Sequence, residues 1–152
     1  MMEVPQYAEI RTEWQAPQID EFGLDTEHGT LVEVSYEDAQ ALMHIAQAEA
    51  GNQGIDGMAL VMQVVLNRVA DEDYPDTVYD VIAQKGQFDS FRNGAYAKAE
   101  PSAECHLALA EIEAGQFVNH TIIAFEVTGS RSLDRYFRYA FTYRDHDFYT
   151  EK

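Results

Sequence analysis

The sequence has few cysteines and few basic residues, and each shortage excludes a class of protein. Cys105 is the one cysteine among 152 residues, so neither an internal disulfide nor a zinc site built from several thiolates is possible. Lys and Arg number 10 against 27 Asp and Glu, which gives a formal net charge of -17. Nucleic-acid binding requires clustered cations that neutralise phosphates, so we expect no nucleic acid partner.

Long apolar runs are also missing. No stretch approaches the roughly 18 to 20 uncharged apolar residues of a membrane span, and the N-terminus lacks a basic region followed by an apolar one. The expectation is a soluble chain without an export signal and without membrane insertion. Because 46% of its 152 residues are hydrophobic, the chain has enough apolar side chains for one domain core and too few for two.

Residues 1 to 34 differ in character from the rest of the chain. They carry many carboxylates and show no sustained helical or strand period. We therefore predict an N-terminal arm over residues 1 to 34 and one domain over residues 35 to 152. The arm has enough apolar area to dock on a domain, through Trp14, Ile19, Phe22 and Leu24.

Four helices are predicted between residues 35 and 115. Ser35 and Asp38 form a capping-box pattern that begins the first helix. This helix is predicted to end near Ala50, with Gly51 in the left-handed conformation. The second helix, over residues 56–70, is apolar around most of its circumference and is predicted to be the buried central helix. The third helix is predicted to begin after a cap at Asp76 or Thr77 and to end before Gly86. The fourth is predicted over residues 102–114 and ends at Gly115.

The sequence period changes after residue 120. Segments 121–127 and 135–143 are rich in β-branched and aromatic residues and are separated by turn residues 128–130, which predicts two strands. Residues 146–149 are predicted to add a short third strand. The predicted fold class is therefore α+β, mainly α, with a small antiparallel sheet at the C-terminal end.

Glu49 is the candidate functional residue of the first helix. At roughly 100° per residue it falls on the same arc as Leu42, Ile45 and Ala46. Desolvation on this face and the negative end of the helix dipole both raise the pKa of a carboxyl group. A carboxylic acid that stays protonated near neutral pH can donate a proton to a departing glycosidic oxygen. The alternative is that Glu49 reaches solvent or pairs with a cation such as Arg68.

Five blocks of sequence between residues 45 and 149 form a pattern that is more specific than any single block. The blocks are Ile45–Gly51, Val64–Val69, Tyr74–Ile82, Lys85–Phe88 and His146–Tyr149. Their order and spacing resemble the spore-cortex-lytic (SleB/CwlJ-type) cell-wall hydrolase family. The chain departs from this family at Asp89, which precedes Ser90 where members often place a Ser directly after the Gln-Phe pair. We also expect the chain to lack the export signal and the wall-binding module that are usual in the family.

The resemblance implies a lysozyme-like catalytic domain that cleaves the MurNAc–GlcNAc bond of peptidoglycan, commonly as a lytic transglycosylase. It also implies that Glu49 is the catalytic glutamate and that the partner is the peptidoglycan glycan strand. We expect no cofactor and no metal ion. Because the charge of -17 disfavours simple attraction to an anionic wall, recognition is expected to come from a shaped groove.

The other blocks supply four candidates for substrate binding, namely Gln87, Phe88, His146 and Tyr149. The Gln87 amide can bond sugar hydroxyls or N-acetyl groups and the Phe88 ring can cover an apolar sugar face, or both residues can anchor their loop. His146 and Tyr149 either line the cleft near Glu49 or close the sheet. The polar residues that end the second helix are predicted to fasten it to neighbouring loops: Asn67 and Arg68.

Two mechanisms fit one catalytic acid. Hydrolysis with two enzymic carboxylates needs a second Asp or Glu across the sugar from Glu49, and Asp56, Asp89 and Glu126 all stay possible. A single acid suffices if the N-acetyl group or the C6 hydroxyl of MurNAc attacks. We therefore expect lytic transglycosylation that forms 1,6-anhydro-MurNAc ends, with a hydrolytic muramidase as the alternative.

Two rival classes of protein are considered as well. One is a wall-binding or phage structural module that kept the fold and lost activity. The other is a metal-dependent stem-peptide peptidase, which the scattered spacing of the histidines disfavours: His28, His44, His106, His120 and His146. The expected location is the cell wall, the extracellular space or the spore if a signal has been removed, and the cytoplasm until lysis if the chain is a phage endolysin.

Overall fold

The computed structural model describes residues 33–117 and 119–152. The predicted N-terminal arm lies outside this part of the chain except for its last two residues. The described helices and strands are α1 Tyr36–Ala50, α2 Gly54–Ala70, α3 Val78–Ala83, α4 Asp89–Arg92, α5 Ala95–Lys98, α6 Ala103–Glu113, β1 Ile122–Val127, β2 Phe137–Tyr143 and β3 His146–Glu151. A mainly helical chain that ends in a small antiparallel sheet confirms the predicted fold class.

The first helix begins as predicted and ends differently. The Ser35 side chain accepts a hydrogen bond of 3.1 Å from the Asp38 N–H, which caps α1. Gly51 follows the helix in the right-handed conformation, with φ -58° and ψ -23°, so the left-handed prediction for Gly51 is wrong. The left-handed residue is Gly54, with φ +76°, because the chain needs its reversal where α2 begins.

The second helix is the central one, as predicted. Gly57 to Val65 are buried without a break, and α2 packs against α1, α6 and β1. The predicted third and fourth helices are also confirmed, with Thr77 and Ser102 as their side-chain caps. The short helices α4 and α5 were not predicted, because four residues are too few to show a helical period. No helix in the described ranges reaches the length and apolarity needed to cross a bilayer.

The three strands form one antiparallel sheet with β3 in the middle, in the order β1-β3-β2. β2 begins two residues later than predicted, because Ser132–Arg135 forms a 3-10 helix. Since opposed residues share a face, Phe125, Phe148 and Phe141 lie together on the face that joins the helical core. Glu126, Asp147 and Thr142 share the opposite face.

The β2–β3 hairpin is fastened to the loop between α1 and α2. The buried Gln53 side chain donates to Asp145 Oδ2 at 2.8 Å and accepts from the Asp145 N–H at 3.0 Å. A Cβ at Gly54 would lie 2.9 Å from the Arg144 guanidinium, so the hairpin comes close to the start of α2. Through these contacts, the sheet is held next to the C-terminal end of α1, where Glu49 lies.

Candidate active site

Glu49 lies in the last turn of α1, where the neighbouring Ala46 and Ala50 are fully buried. Its own side chain is partly exposed. Burial raises the pKa of the Glu49 carboxyl, and the negative charge of Asp89 raises it further. Hydrogen bonding from the Ser90 side chain and backbone acts in the opposite direction but does not cancel the effect of burial. The carboxyl group therefore holds its proton to a higher pH than an ordinary glutamate.

Ser90 reaches Glu49 from the beginning of the short helix α4. It is buried, and both its hydroxyl and its backbone N–H act on the Glu49 carboxyl group as hydrogen-bond donors. Sequence reasoning did not nominate Ser90 as a site residue. The available signal was its place two residues after the Lys85–Phe88 block, where Asp89 interrupts the family pattern of a Ser directly after the Gln-Phe pair.

Arg68 does not form an ion pair with Glu49. Its Nε donates to the Ile123 carbonyl at 2.7 Å and its Nη1 donates to Gln87 Oε1 at 2.9 Å. Its guanidinium also lies over the rings of Tyr74 and Phe88, at 5.0 and 5.5 Å. Within residues 33–117 and 119–152, no cation pairs with Glu49, so the alternative that Arg68 neutralises this carboxylate is wrong.

The predicted structural role of Asn67 and Arg68 is confirmed. The Asn67 amide donates to the carbonyls of Asn119 and Ile122, at 2.9 and 2.7 Å. These bonds, with the Arg68 bond to Ile123, tie the end of α2 to the chain that leads into β1. Burial lowers the pKa of the Arg68 guanidinium, and its donors are aimed at backbone and amide oxygens.

Gln87 and Phe88 lie in the loop that leads from α3 to Ser90. Gln87 is exposed and accepts a hydrogen bond from Arg68 through Oε1. The Phe88 ring is buried between the Arg68 guanidinium and Phe125, whose ring centroid is 6.1 Å away. This placement matches the alternative that both residues anchor their loop. Of the two side chains, only that of Gln87 is exposed, and its amide nitrogen is not used in the bond to Arg68. Substrate contact by either residue stays a prediction.

His146 and Tyr149 both belong to β3, on opposite sides of the sheet. His146 is buried against Phe125, with ring centroids 5.1 Å apart, and burial lowers the pKa of its imidazole. Tyr149 is fully buried, and its hydroxyl donates to Glu126 Oε2 at 2.6 Å. Neither side chain shares a described contact with Glu49, so their role in substrate binding stays a prediction without support from this arrangement.

Of the three carboxylates considered as partners of Glu49, Asp89 is the one whose charge acts on it. Asp56 lies instead near Glu111 of α6, whose pKa is raised by burial and further by the charge of Asp56. Glu126 is held on the far face of the sheet. Burial alone would raise the pKa of Glu126, but hydrogen bonds from Ser132, Tyr149, the Leu133 N–H and Ser130 lower it to about 2.

The described part of the chain contains neither a cluster of metal ligands nor a reactive thiol. Among the described residues, no three His, Cys, Asp or Glu side chains are placed to hold one metal ion, and His28 lies outside those residues. Cys105 packs inside α6, with its thiol donating to the Met43 carbonyl at 3.4 Å. Burial raises the pKa of this thiol to about 11, which keeps it protonated and unreactive at neutral pH.

Comparisons with known proteins agree with this geometry. A family model described as Cell Wall Hydrolase matches residues 52–149, a range that contains Ser90 and begins three residues after Glu49. No curated protein matches the sequence.

Two solved structures resemble the fold. The catalytic domain of the germination-specific lytic transglycosylase SleB from Bacillus anthracis is 21% identical, with a TM-score of 0.65, over 77% of this chain and 97% of that domain. The catalytic domain of the Bacillus cereus SleB protein is 20% identical, with a TM-score of 0.63, over 79% of this chain and 95% of that domain. At these identities the likeness establishes the lysozyme-like fold that the sequence predicted.

Proposed function

Because the chain belongs to the cell wall hydrolase family, we propose that it cleaves the glycan strand of peptidoglycan at the MurNAc–GlcNAc bond, with Glu49 as the general acid. One observation supports this proposal: Glu49 is a partly desolvated carboxyl group with a raised pKa, and no cation of residues 33–117 or 119–152 pairs with it. Such a group is protonated when the substrate binds and can deliver its proton to the glycosidic oxygen.

Lytic transglycosylation is the reaction that a single acid supports. Glu49 protonates the bridging oxygen, the bond from that oxygen to C1 of MurNAc breaks, and GlcNAc leaves with a free 4-hydroxyl. The C6 hydroxyl of the same MurNAc then forms a bond to C1 and returns its proton to Glu49. No water is consumed, and the new end of the strand is 1,6-anhydro-MurNAc. The Bacillus anthracis neighbour is a lytic transglycosylase, which supports the same assignment.

Ser90 supports both halves of this cycle. After the first proton transfer Glu49 is an anion in a partly desolvated position, which costs free energy unless a donor compensates. The Ser90 hydroxyl and N–H supply such donors. They stabilise the carboxylate after it has lost its proton, without forming the full ion pair that would keep it ionised beforehand.

Hydrolysis is the second candidate, because Asp89 lies near enough to Glu49 to act on its pKa. A carboxylate beside the acid can activate a water molecule for attack on C1, as in glycosidases with two carboxylates. The two reactions differ in their products. Hydrolysis leaves reducing MurNAc ends, whereas transglycosylation leaves anhydro ends.

The proposed substrate places the activity at the cell wall, with the spore cortex as a specific wall to test because the Bacillus anthracis neighbour is germination-specific. Fractionation of producing cells, with antibody detection in cytoplasm, wall and spore fractions, tests this location. Detection confined to the cytoplasm of lysing cells would instead favour a phage endolysin.

The deciding experiment compares the wild type with Glu49→Gln and Glu100→Gln, the second being an exposed control outside the site. Turbidity clearance of purified peptidoglycan should fall by at least about 100-fold for Glu49→Gln and stay at the wild-type level for Glu100→Gln. Mass spectrometry of the wild-type products should show anhydro ends. Equal activity of all three proteins would refute the catalytic role of Glu49, and an inactive wild type that still binds the wall would indicate a binding module.

A further inference from the structure

A groove of about 520 Å³ lies beside the N-terminal half of α1, between this helix and residues of α3 and α5. Its apolar wall is formed by the rings of Tyr36, Tyr79 and Tyr96 and by the methyl groups of Ala41 and Ala97. Tyr36 is 74% exposed and Tyr79 is 54% exposed, so much of both rings faces solvent in the described part of the chain. Apolar area left uncovered on a concave surface is typical of a docking site.

The polar groups of the groove include both hydrogen-bond donors and acceptors. Glu37 and Asp38 place two carboxyl groups at the N-terminal end of α1, and the Gln40 amide can donate and accept. His44 Nδ1 donates to the Tyr96 carbonyl at 3.0 Å, so its other ring nitrogen, Nε2, is not used in that bond. A matching occupant has apolar side chains, donors as well as acceptors, and no carboxylate beside the two acids. A peptide segment offers donors and acceptors along its whole backbone.

The predicted N-terminal arm contains one segment with these properties. Trp14–Ile19, six residues long, is the longest run without a charged residue in the arm. It begins and ends with a large apolar side chain, and its two glutamines can donate and accept hydrogen bonds. Arg11 is the one Lys or Arg of the arm and lies three positions before Trp14. Its charge is complementary to the two carboxyl groups of the groove.

The arm joins the described chain next to the groove. The described residues begin at Glu33, three positions before Tyr36 in the groove wall. Ile19 and Glu33 are 14 positions apart, and 14 extended residues span up to about 46 Å. The groove extends only about 12 Å along α1, from Tyr36 to His44, at about 1.5 Å of rise per residue. The segment is therefore tethered within reach, and a tether gives it a high effective concentration relative to an occupant from solution.

We infer that Trp14–Ile19 of the arm docks in this groove, with the Trp14 ring against those of Tyr36 and Tyr79. The donors and acceptors of the groove bind the backbone and the glutamine amides of the segment, and the acidic residues on either side of it remain at the rim. Docking buries apolar rings that are otherwise exposed and stabilises the domain. The lining of the groove does not include Glu49, so this inference goes beyond the proposed function and does not depend on it.

The test uses the fluorescence of the full chain, because Trp14 is its one tryptophan. Trp14 emission of the wild type should be blue-shifted relative to the chain unfolded in urea and protected from acrylamide quenching. Tyr36→Ala removes an exposed ring from the groove wall and should lower the docking constant about tenfold, the loss expected for one aromatic contact. Ala97→Glu adds a carboxylate to the wall at an exposed position. The double variant should bring emission and quenching close to those of the unfolded chain.

The matched control is the double variant Tyr136→Ala/Ala110→Glu, which makes the same two changes at exposed positions outside the groove and should behave as wild type. Circular dichroism of each variant shows whether the helices remain folded, so that undocking is distinguished from unfolding. Tyr36→Ala alone keeps the test valid if Ala97→Glu disturbs α5.

Three results would overturn the inference. In the first, Trp14 of the wild type is as exposed as in the unfolded chain. In the second, the groove variants keep wild-type emission and quenching, which would mean that the arm docks elsewhere. In the third, protection of Trp14 is lost on dilution while sedimentation shows a dimer dissociating, which would assign the groove to the arm of a second copy.

Discussion

Ser90 is buried against the carboxyl group of Glu49 and acts on the pKa of that carboxyl in the direction opposite to burial. The two residues are 41 positions apart in the chain, one in the last turn of α1 and the other in α4. The proposed reaction requires Glu49 to keep its proton before the bond is cleaved and to be stable as an anion afterwards. Burial favours the protonated form, and Ser90 favours the anion.

Replacing the two neighbours of Glu49 should shift its pKa in opposite directions. Ser90→Ala removes a donor to the carboxylate and should move the alkaline limb of the pH–rate profile upward. Asp89→Asn removes a negative charge and should move that limb downward. We expect kcat at the optimum to fall about tenfold for Ser90→Ala, because a hydrogen bond to a charged group is lost. The pH dependence of kcat/KM measures both shifts. A shift of the alkaline limb in the same direction for both variants would contradict the opposite effects of Ser90 and Asp89 on the Glu49 pKa.

Activity of the wild type should decline as the pH rises through the pKa of Glu49, which lies above its usual value of 4.5. The same raised pKa affects stability. Because the ionised form is disfavoured in the folded state, the stability associated with Glu49 is fully present below about pH 4.5 and is lost as the pH rises through the folded pKa. Glu49→Gln should therefore raise the melting temperature at pH 7 and have little effect at pH 4.

Thermal unfolding of Glu49→Gln and of the exposed control Glu100→Gln, each at pH 4 and pH 7, checks this expectation. A lower melting temperature of Glu49→Gln at pH 7 would mean that the carboxylate has a stabilising partner in solution. That result would contradict the desolvated site on which the proposed acid catalysis depends.

Arg68 should be important for stability rather than for contact with substrate. Arg68→Ala leaves the buried Ile123 carbonyl without its donor, which should cost about 1–3 kcal/mol, while the exposed Gln87 amide can bond water instead. Arg135→Ala removes an exposed guanidinium and should change the free energy of unfolding by about 0.5 kcal/mol or less. Denaturant unfolding of the two variants measures the difference, and similar values would contradict this account.

Tyr149→Phe distinguishes the structural from the substrate-binding interpretation of Tyr149. The substitution removes only the hydroxyl that donates to Glu126, so we expect a loss of about 1–2 kcal/mol in stability and an unchanged KM. The loss should be present at neutral pH and should disappear in acid, since Glu126 contributes stability above its unfolded pKa of about 4.5 and loses it as the pH falls toward about 2. A raised KM with unchanged stability would restore Tyr149 to the substrate site.

The sequence predicted the position of Glu49 on α1, because the evidence for that position is local. Ser35 at its cap and the apolar arc of α1 placed Glu49 on the buried side of the helix, and burial does raise its pKa. Helix periods and caps arise from neighbours three or four residues apart, so they can be identified without the rest of the structure. The same reasoning failed at Gly51, because any of several glycines near a helix end can take the left-handed conformation.

The partners of Glu49 could not be identified in this way. Three carboxylates were equally possible before folding, and the loop that Arg68 and Phe125 hold in place brings Asp89 and Ser90 to the end of α1 while Glu126 is held on the far face of the sheet. Chemical identity and helical position are properties of a short segment of chain. Glu49 and Ser90 are 41 positions apart, so their contact depends on how the core packs. That packing involves contacts that no local sequence pattern encodes.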